Sequence, residues 1–193
     1  MPLTKLDPNT ALIVIDLQKG IANADSLPSI TAVIDRTRKL LSAFRAKNLT
    51  VVLVNVAGRA PGRTEQGPRS SVPFAVDWTD LLPELDQQPN DIVVTKRSWG
   101  AFATTDLEQQ LKSRGVTQIV VTGVATSVGV EATARQAYEQ GFNVTLAIDA
   151  MTDLREEAHQ HSLTNVFPRL GETGSTKEIL WLLESLSGER NNA

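Results

Sequence analysis

Cysteine is absent from the 193 residues, and with it go disulfides, thiolate zinc sites and any cysteine nucleophile. Histidine occurs only at His159 and His161, in a polar stretch, so a histidine-rich metal site is not expected. No apolar run approaches the ~20 residues of a membrane span. The opening Met-Pro-Leu-Thr-Lys-Leu-Asp also lacks the apolar core of a signal peptide, and a cytoplasmic protein is expected. An excess of one charge is missing too. With 19 Lys and Arg against 22 Asp and Glu, the net charge of −3 offers no field for holding nucleic acid or an anionic membrane. Internal repeats and low-complexity tracts are absent. The remaining composition, 41% apolar and 21% charged, is that of an ordinary globular chain. It is read as one domain over residues 1–193 with a polar, frayed tail from 187 to 193.

What is present is an alternation of short apolar runs with longer amphipathic segments. Ala11–Ile15, Val51–Val54, Ile92–Val94, Ile119–Val121 and Val144–Ile148 are rich in β-branched residues and apolar on both faces, as parallel strands covered by helices must be. Between them Ile30, Val33, Ile34, Leu41 and Phe44 keep helical spacing up to Asn48. Thr105 with Glu108 has the pattern of a capping box, and Gly115 that of a helix stop. Further helices are predicted over about 128–138, 154–166 and around Ile179, Leu180, Leu183 and Leu186, with a weak sixth strand near 169–173. The fold expected is α/β: a doubly wound, mostly parallel sheet of about six strands with helices on both faces. The irregular stretch 57–78, rich in Gly and Pro, reads as a binding loop or lid.

Ligands of such sheets bind outside the carboxyl ends of the strands. Asp16, Asn55, Lys96, Arg97 and Asp149 stand there, and the fourth strand runs through Gly123-Val-Ala-Thr-Ser-Val-Gly129 straight into a helix. Asp16 follows five apolar residues, so it is expected to be part-buried and in need of a partner, which Lys96 in the same setting would supply. The Gly123–Gly129 turn presents backbone N–H groups at a helix start, a place for an anion or oxyanion. Several motifs are excluded. No G-x-G-x-x-G follows the first strand, no G-x-S-x-G is present, and Gly171-Glu-Thr-Gly-Ser-Thr-Lys177 has the wrong spacing for a phosphate loop. Thr126 and Ser127 lie at the predicted helix cap, where hydroxyls ordinarily bond backbone N–H groups.

Taken together, Ala11-Leu-Ile-Val-Ile-Asp-Leu-Gln18, Lys96 with Ala101-Phe102, Gly123-Val-Ala-Thr-Ser-Val-Gly-Val-Glu131 with Ala134-Arg135, and Asp149-Ala150 resemble the isochorismatase-like hydrolases over roughly 10–183. The resemblance implies a catalytic Asp, Lys and Cys. The first two map onto Asp16 and Lys96, and the third onto Gly129, where this chain departs from most of the family. It also implies substrate- or oxyanion-binding roles for Gln18, Asn55, Trp99, Phe102, Val124, Ala125 and Gly129, and a cis peptide at Val124–Ala125 that aims the amides of Ala125 and Gly129 into the cleft. The Asp-x-His-x-x-His metal site of the nicotinamidases has no counterpart in Asn55-Val-Ala-Gly58.

Isochorismatases themselves resemble this arrangement, keeping Asp and Lys with Gly at the thiol position and cleaving a vinyl ether without a covalent nucleophile. A cofactor-free hydrolase acting on a small anionic enol ether is therefore the leading expectation. A ligand-binding or assembly protein, and an amidase in which Asp16 activates water, stand as alternatives. Arg59, Arg63, Arg69 and Arg97 are candidates to hold substrate carboxylates. A homo-oligomer, dimer or larger, is expected by the same resemblance. Trp78, Trp99 and Trp181 are candidate interface anchors, with core packing preferred for Trp181 on its helix stripe. The glycine at 129 is expected to leave room of about a methylthiol beside the helix N-terminus.

Overall fold

The apolar runs form six strands, and in the computed structural model, which describes residues 3–22, 27, 29–65 and 74–190, all six are parallel. They are β1 (Thr10–Ile15), β2 (Val51–Val56), β3 (Ile92–Lys96), β4 (Gln118–Val124), β5 (Asn143–Thr152) and β6 (Glu172–Gly174), in the order β3-β2-β1-β4-β5-β6. The order reverses between β1 and β4, which makes that pair the topological switch point where an open α/β sheet forms its ligand crevice. Gly123 lies flat against β1 there, since a Cβ on it would come within 2.1 Å of the Ile15 carbonyl oxygen.

Strand alternation sends Ala11, Ile13 and Ile15 into one core and Leu12 and Val14 into the other. Helices α1 (Ile30–Ala46) and α5 (Thr176–Arg190) cover the second face with Val33, Leu40, Phe44, Ile179 and Leu183. Helices α2 (Leu107–Ser113) and α3 (Glu131–Glu139) cover the first with Leu107, Leu111, Ala134 and Ala137. Asn48, Gly115 and Gly141 all take positive φ just beyond α1, α2 and α3, as helix stops do.

Several local expectations need correction. At α2 the hydroxyl of Thr105 accepts the Leu107 N–H at 3.3 Å, while Glu108 pairs with Lys112, so no capping box closes. The helix expected over 154–166 is α4 (Glu156–His161) followed by a π turn, Ser162–Val166. Trp181 is 66% exposed, because two residues from Ile179 turns a helical side chain about 200° away from the buried stripe. Helix α5 runs on to Arg190, and residues 191–193 of the expected tail lie outside the described residues. Among the described residues, no helix is long and apolar enough to cross a membrane.

Candidate active site

Asp16 is the first residue beyond β1 and adopts φ 52°, a left-handed conformation uncommon outside glycine, while its N–H donates to the Val54 carbonyl at 2.9 Å. That turn carries its carboxyl across the strand ends toward Lys96, the last residue of β3. Two strand spacings, about 10 Å, separate β1 from β3, a gap suited to the long stem of lysine and the short one of aspartate. The Lys96 ammonium lies 2.8 Å from Asp16 Oδ2, and the two residues are only 1% and 6% exposed. The remaining ammonium protons go to the carbonyls of Trp99 (2.7 Å) and Ser98 (3.3 Å), so all three donors of the lysine are engaged. Asp16 Oδ1, by contrast, is buried with no hydrogen-bond partner among the described residues. Burial pushes the Asp16 carboxyl up to about 6, against the opposing attraction and hydrogen bond of Lys96.

The second wall is the turn after β4. Its Val124–Ala125 peptide is cis, and a π turn, Thr126–Val130, leads into α3. The N–H groups of Val128 and Val130 both return to the Ala125 carbonyl, and the Ser127 N–H donates to Asp153 Oδ2 at 2.7 Å. The Ser127 hydroxyl donates to the same oxygen at 2.8 Å, and the Thr126 hydroxyl meets His159 Nδ1 at 2.8 Å. Both hydroxyls therefore hold the turn. Gly129 rests directly on the acid. A Cβ there would stand 2.9 Å from the Ile15 Cγ2 methyl, 3.1 Å from Asp16 Oδ2 and 3.2 Å from the Val124 carbonyl oxygen. The expected empty room beside the helix start is not found, because Ile15 and the carboxyl of Asp16 fill it.

The structure thus brings together Asp16, Lys96, Gly129 and the carbonyl of Val124, keeps Ala125 in the same turn with its carbonyl turned to Val128 and Val130, and separates others. Val124 itself has its side chain wholly in the core on the α1 face. Phe102 packs in the opposite core, 5.9 Å from the ring of Phe142. Trp99 serves through its carbonyl while its ring is 63% exposed. Gln18 is wholly buried: its amide accepts the Val56 N–H at 2.6 Å and donates to the carbonyls of Val56 and Trp78. It works as a clip that fastens segment 78–82 onto 17–20, together with the Lys19–Asp80, Gly20–Trp78 and Leu82–Leu17 backbone bonds. Asn55 alternates onto the α1 face, where its amide donates to the Thr79 carbonyl and borders a cavity of about 540 Å³ with Lys19 and Val93. The Arg97 guanidinium donates to the Ala57 carbonyl at 3.3 Å, Arg59 and Arg63 are exposed, and Arg69 lies outside the described residues.

Sequence reasoning missed three fasteners of this site: Asp153, Thr133 and Gln136. The hydroxyl of Thr133 accepts the Ala101 N–H at 3.1 Å, and Gln136 Oε1 accepts the Phe102 N–H at 3.1 Å. Their signal was in the helix pattern, since Thr133 and Gln136 are polar residues three apart that alternate with the buried Ala134 and Ala137. Among the described residues, no group of three or more His, Cys, Asp or Glu is arranged to hold a metal ion.

Residues 10–178 match the family model described as the isochorismatase domain. The chain belongs to the isochorismatase family. It is similar to the uncharacterized isochorismatase family protein YwoC of Bacillus subtilis (strain 168), 40% identical over 177 residues that cover 89% of this chain and 92% of that protein. It is also similar to the ureidoacrylate amidohydrolase RutB of Stutzerimonas stutzeri (strain A1501), 29% identical over 86% of this chain and 79% of that one. Among solved structures, an isochorismatase family protein from Burkholderia thailandensis superposes with a TM-score of 0.87 at 41% identity, covering 93% of this chain and 98% of that one. The fold and the family together make this chain an isochorismatase-family hydrolase.

Proposed function

We propose that this isochorismatase-family chain cleaves a small anionic enol ether, isochorismate or a relative, by acid–base chemistry of Asp16 and Lys96 with water as the nucleophile. In this reading Gly129 stands where cysteine hydrolases of the family carry their thiol. The observation that carries it is the Asp16 carboxyl. One oxygen is held by Lys96, the other has no partner among the described residues, and burial raises the group to about 6. An acid poised near neutrality is what protonation of an enol carbon requires. Asp16 delivers its proton to that carbon, water adds to the resulting oxocarbenium ion, and the hemiketal collapses to pyruvate and an alcohol. Lys96 keeps Oδ2 occupied, so that Oδ1 is the atom that gives the proton. A chain with no cysteine has no thiolate for an acyl-enzyme route. The reading includes no cofactor, and takes the protein as a cytoplasmic homo-oligomer.

A second reading, favoured by similarity to an amidohydrolase, uses the same carboxyl in its ionised form as a base that activates water on an amide. The two differ in the sign of their pH dependence. With isochorismate the acid mechanism releases pyruvate, with simple vinyl ethers the corresponding aldehyde or ketone, and it slows above about pH 6, the Asp16 value. With amides the base mechanism releases ammonia and speeds up through the same value. A ligand that raises the melting temperature without turnover of either class would instead mark a binding protein.

A further inference from the structure

Lys96 and the Gly129 turn come from distant parts of the chain, and one buried hydroxyl joins them. Thr133 is wholly buried; its Oγ1 donates to the Gly129 carbonyl at 2.7 Å and accepts the Ala101 N–H at 3.1 Å. Three residues on, Gln136 Oε1 accepts the Phe102 N–H, and the Gln136 amide fills the space where a Cβ on Gly100 would stand, 2.2 Å away. Helix α3 therefore grips the 98–102 loop at consecutive backbone N–H groups. That loop supplies the Ser98 and Trp99 carbonyls, two of the three acceptors of the Lys96 ammonium, the third being Asp16 Oδ2. In a buried network the carbonyls compete with the carboxylate for the same three protons, so where the loop stands decides how the ammonium is shared.

We propose that Thr133 is a positioning residue whose hydroxyl holds the 98–102 loop against the Gly129 turn, and thereby sets how far the Lys96 ammonium is drawn away from Asp16. The proposal rests on the reading of Asp16 and Lys96 as the acid–base pair. The groups around the acid leave lysine as the lever. Lys96 faces it from β3 and is the charged group that acts on it, while the uncharged backbone of Gly129 and Val124 lies against it from the turn after β4, with Ile15 alongside. At that turn Asp153 is engaged by Ser127, and His159 by Thr126. Without the hydroxyl, the Ala101 N–H and the Gly129 carbonyl lose their shared partner, and the loop moves to satisfy them. Its carbonyls move with it, and the ammonium turns more fully to Asp16, favouring the carboxylate.

The test is Thr133→Val, which keeps the β-branched shape, beside Thr133→Ser, which restores the hydroxyl. The Asp16 carboxyl is titrated by 13C NMR in protein labelled at aspartate Cγ, with Asp16→Asn assigning the signal. The valine variant is expected to lower the Asp16 midpoint by about one pH unit, a tenfold change in proton affinity. The serine variant is expected to titrate like the wild type. If the valine variant fails to fold, Gln136→Met, which frees the next N–H of the same loop, is expected to shift the midpoint in the same direction. A midpoint that stays at the wild-type value or rises overturns the proposal. The titration needs no substrate, so its outcome is separate from whether enol ethers are cleaved. Where they are, the falling limb of kcat moves with the NMR midpoint while KM is retained.

Discussion

Aspartates stand toward the carboxyl edge of the sheet at both β1 and β5, and the two strands use them in opposite ways. Strand β5 runs on to Thr152 and so holds Asp149 within the strand rather than at its expected end. At β5, Asp149 accepts the Thr176 N–H and hydroxyl at 2.7 and 2.8 Å on one oxygen, and faces Arg36 Nε at 3.3 Å with the other. Asp153, just beyond the same strand, takes the Ser127 N–H and hydroxyl on Oδ2 and the Arg155 N–H on Oδ1. These carboxylates are fasteners: one fixes the start of α5, the other fixes the turn that leads to Gly129. At β1, Asp16 has a single donor, Lys96, and one buried oxygen with no partner among the described residues. Donors stabilise the anion and burial opposes it. The same residue type toward the same edge becomes a tie where N–H groups surround it, and, in the proposed reading, the proton donor where they are withheld.

The contrast is tested first by exchanging each carboxylate for its amide. Asp16→Asn is expected to lower turnover by about 10²–10⁴-fold, the usual range for removing a general acid or base, with ligand binding measured by calorimetry nearly unchanged. Asp149→Asn is expected to leave the rate within severalfold of wild type. Equal losses in the two variants would erase the distinction.

The second test is pH. The Asp16 carboxyl moves from 3.8 to about 6 on folding, so between those values the native state holds a proton that the unfolded chain has released. Stability therefore falls as pH rises from about 4 to about 6, and this contribution is flat above. Urea titrations across that window should show the slope in the wild type and lose it in Asp16→Asn.

A third expectation concerns the turn. Asp153→Ala strips the Ser127 N–H of its acceptor and should cost about 1–3 kcal/mol of stability, the range for a buried donor left unpaired. Gly129→Cys is expected to cost a similar ~1–3 kcal/mol as overpacking, because Ile15 and Asp16 must give way by a few tenths of an ångström. It should also slow the parent reaction by displacing the acid. Chemical denaturation checks both variants. The smallest effect expected is none: iodoacetamide should leave the wild type unaltered, since the chain contains no cysteine.

Much of this was legible in the residues. Five apolar runs, each polar just beyond its carboxyl end, point to a parallel sheet covered on both faces, and all but the edge strand β3 conform, where Val93 is 42% exposed. The reversal of strand order then brings Asp16 and the Gly123–Gly129 turn to one crevice, and an aspartate and a lysine at the ends of buried strands have little choice but to pair. Side-chain roles were legible only where the chain neighbourhood dictates them. Gln18 and Asn55 were expected at the substrate; one is a clip for Trp78 and the other faces the opposite layer. Phe102 was expected in the cleft and lies in the core, while Trp181 was expected in the core and lies outside. Each outcome depends on which way a residue alternates or rotates relative to packing partners, which register decides.

The sequence by itself therefore determined the architecture, the edge of the sheet where the chemistry is proposed and the absence of a thiol from the chain, because periodicity and residue type are local properties. Only the tertiary structure decided that Asp16 keeps one oxygen without a partner among the described residues, that Gly129 has no spare room beside it, and that Thr133 binds the two walls together. Those facts belong to contacts between residues 16 and 96, 15 and 129, and 101 and 133. Whether a buried polar atom finds a donor within 3 Å or so is settled by the meeting of such distant segments, and no periodicity along the chain encodes it.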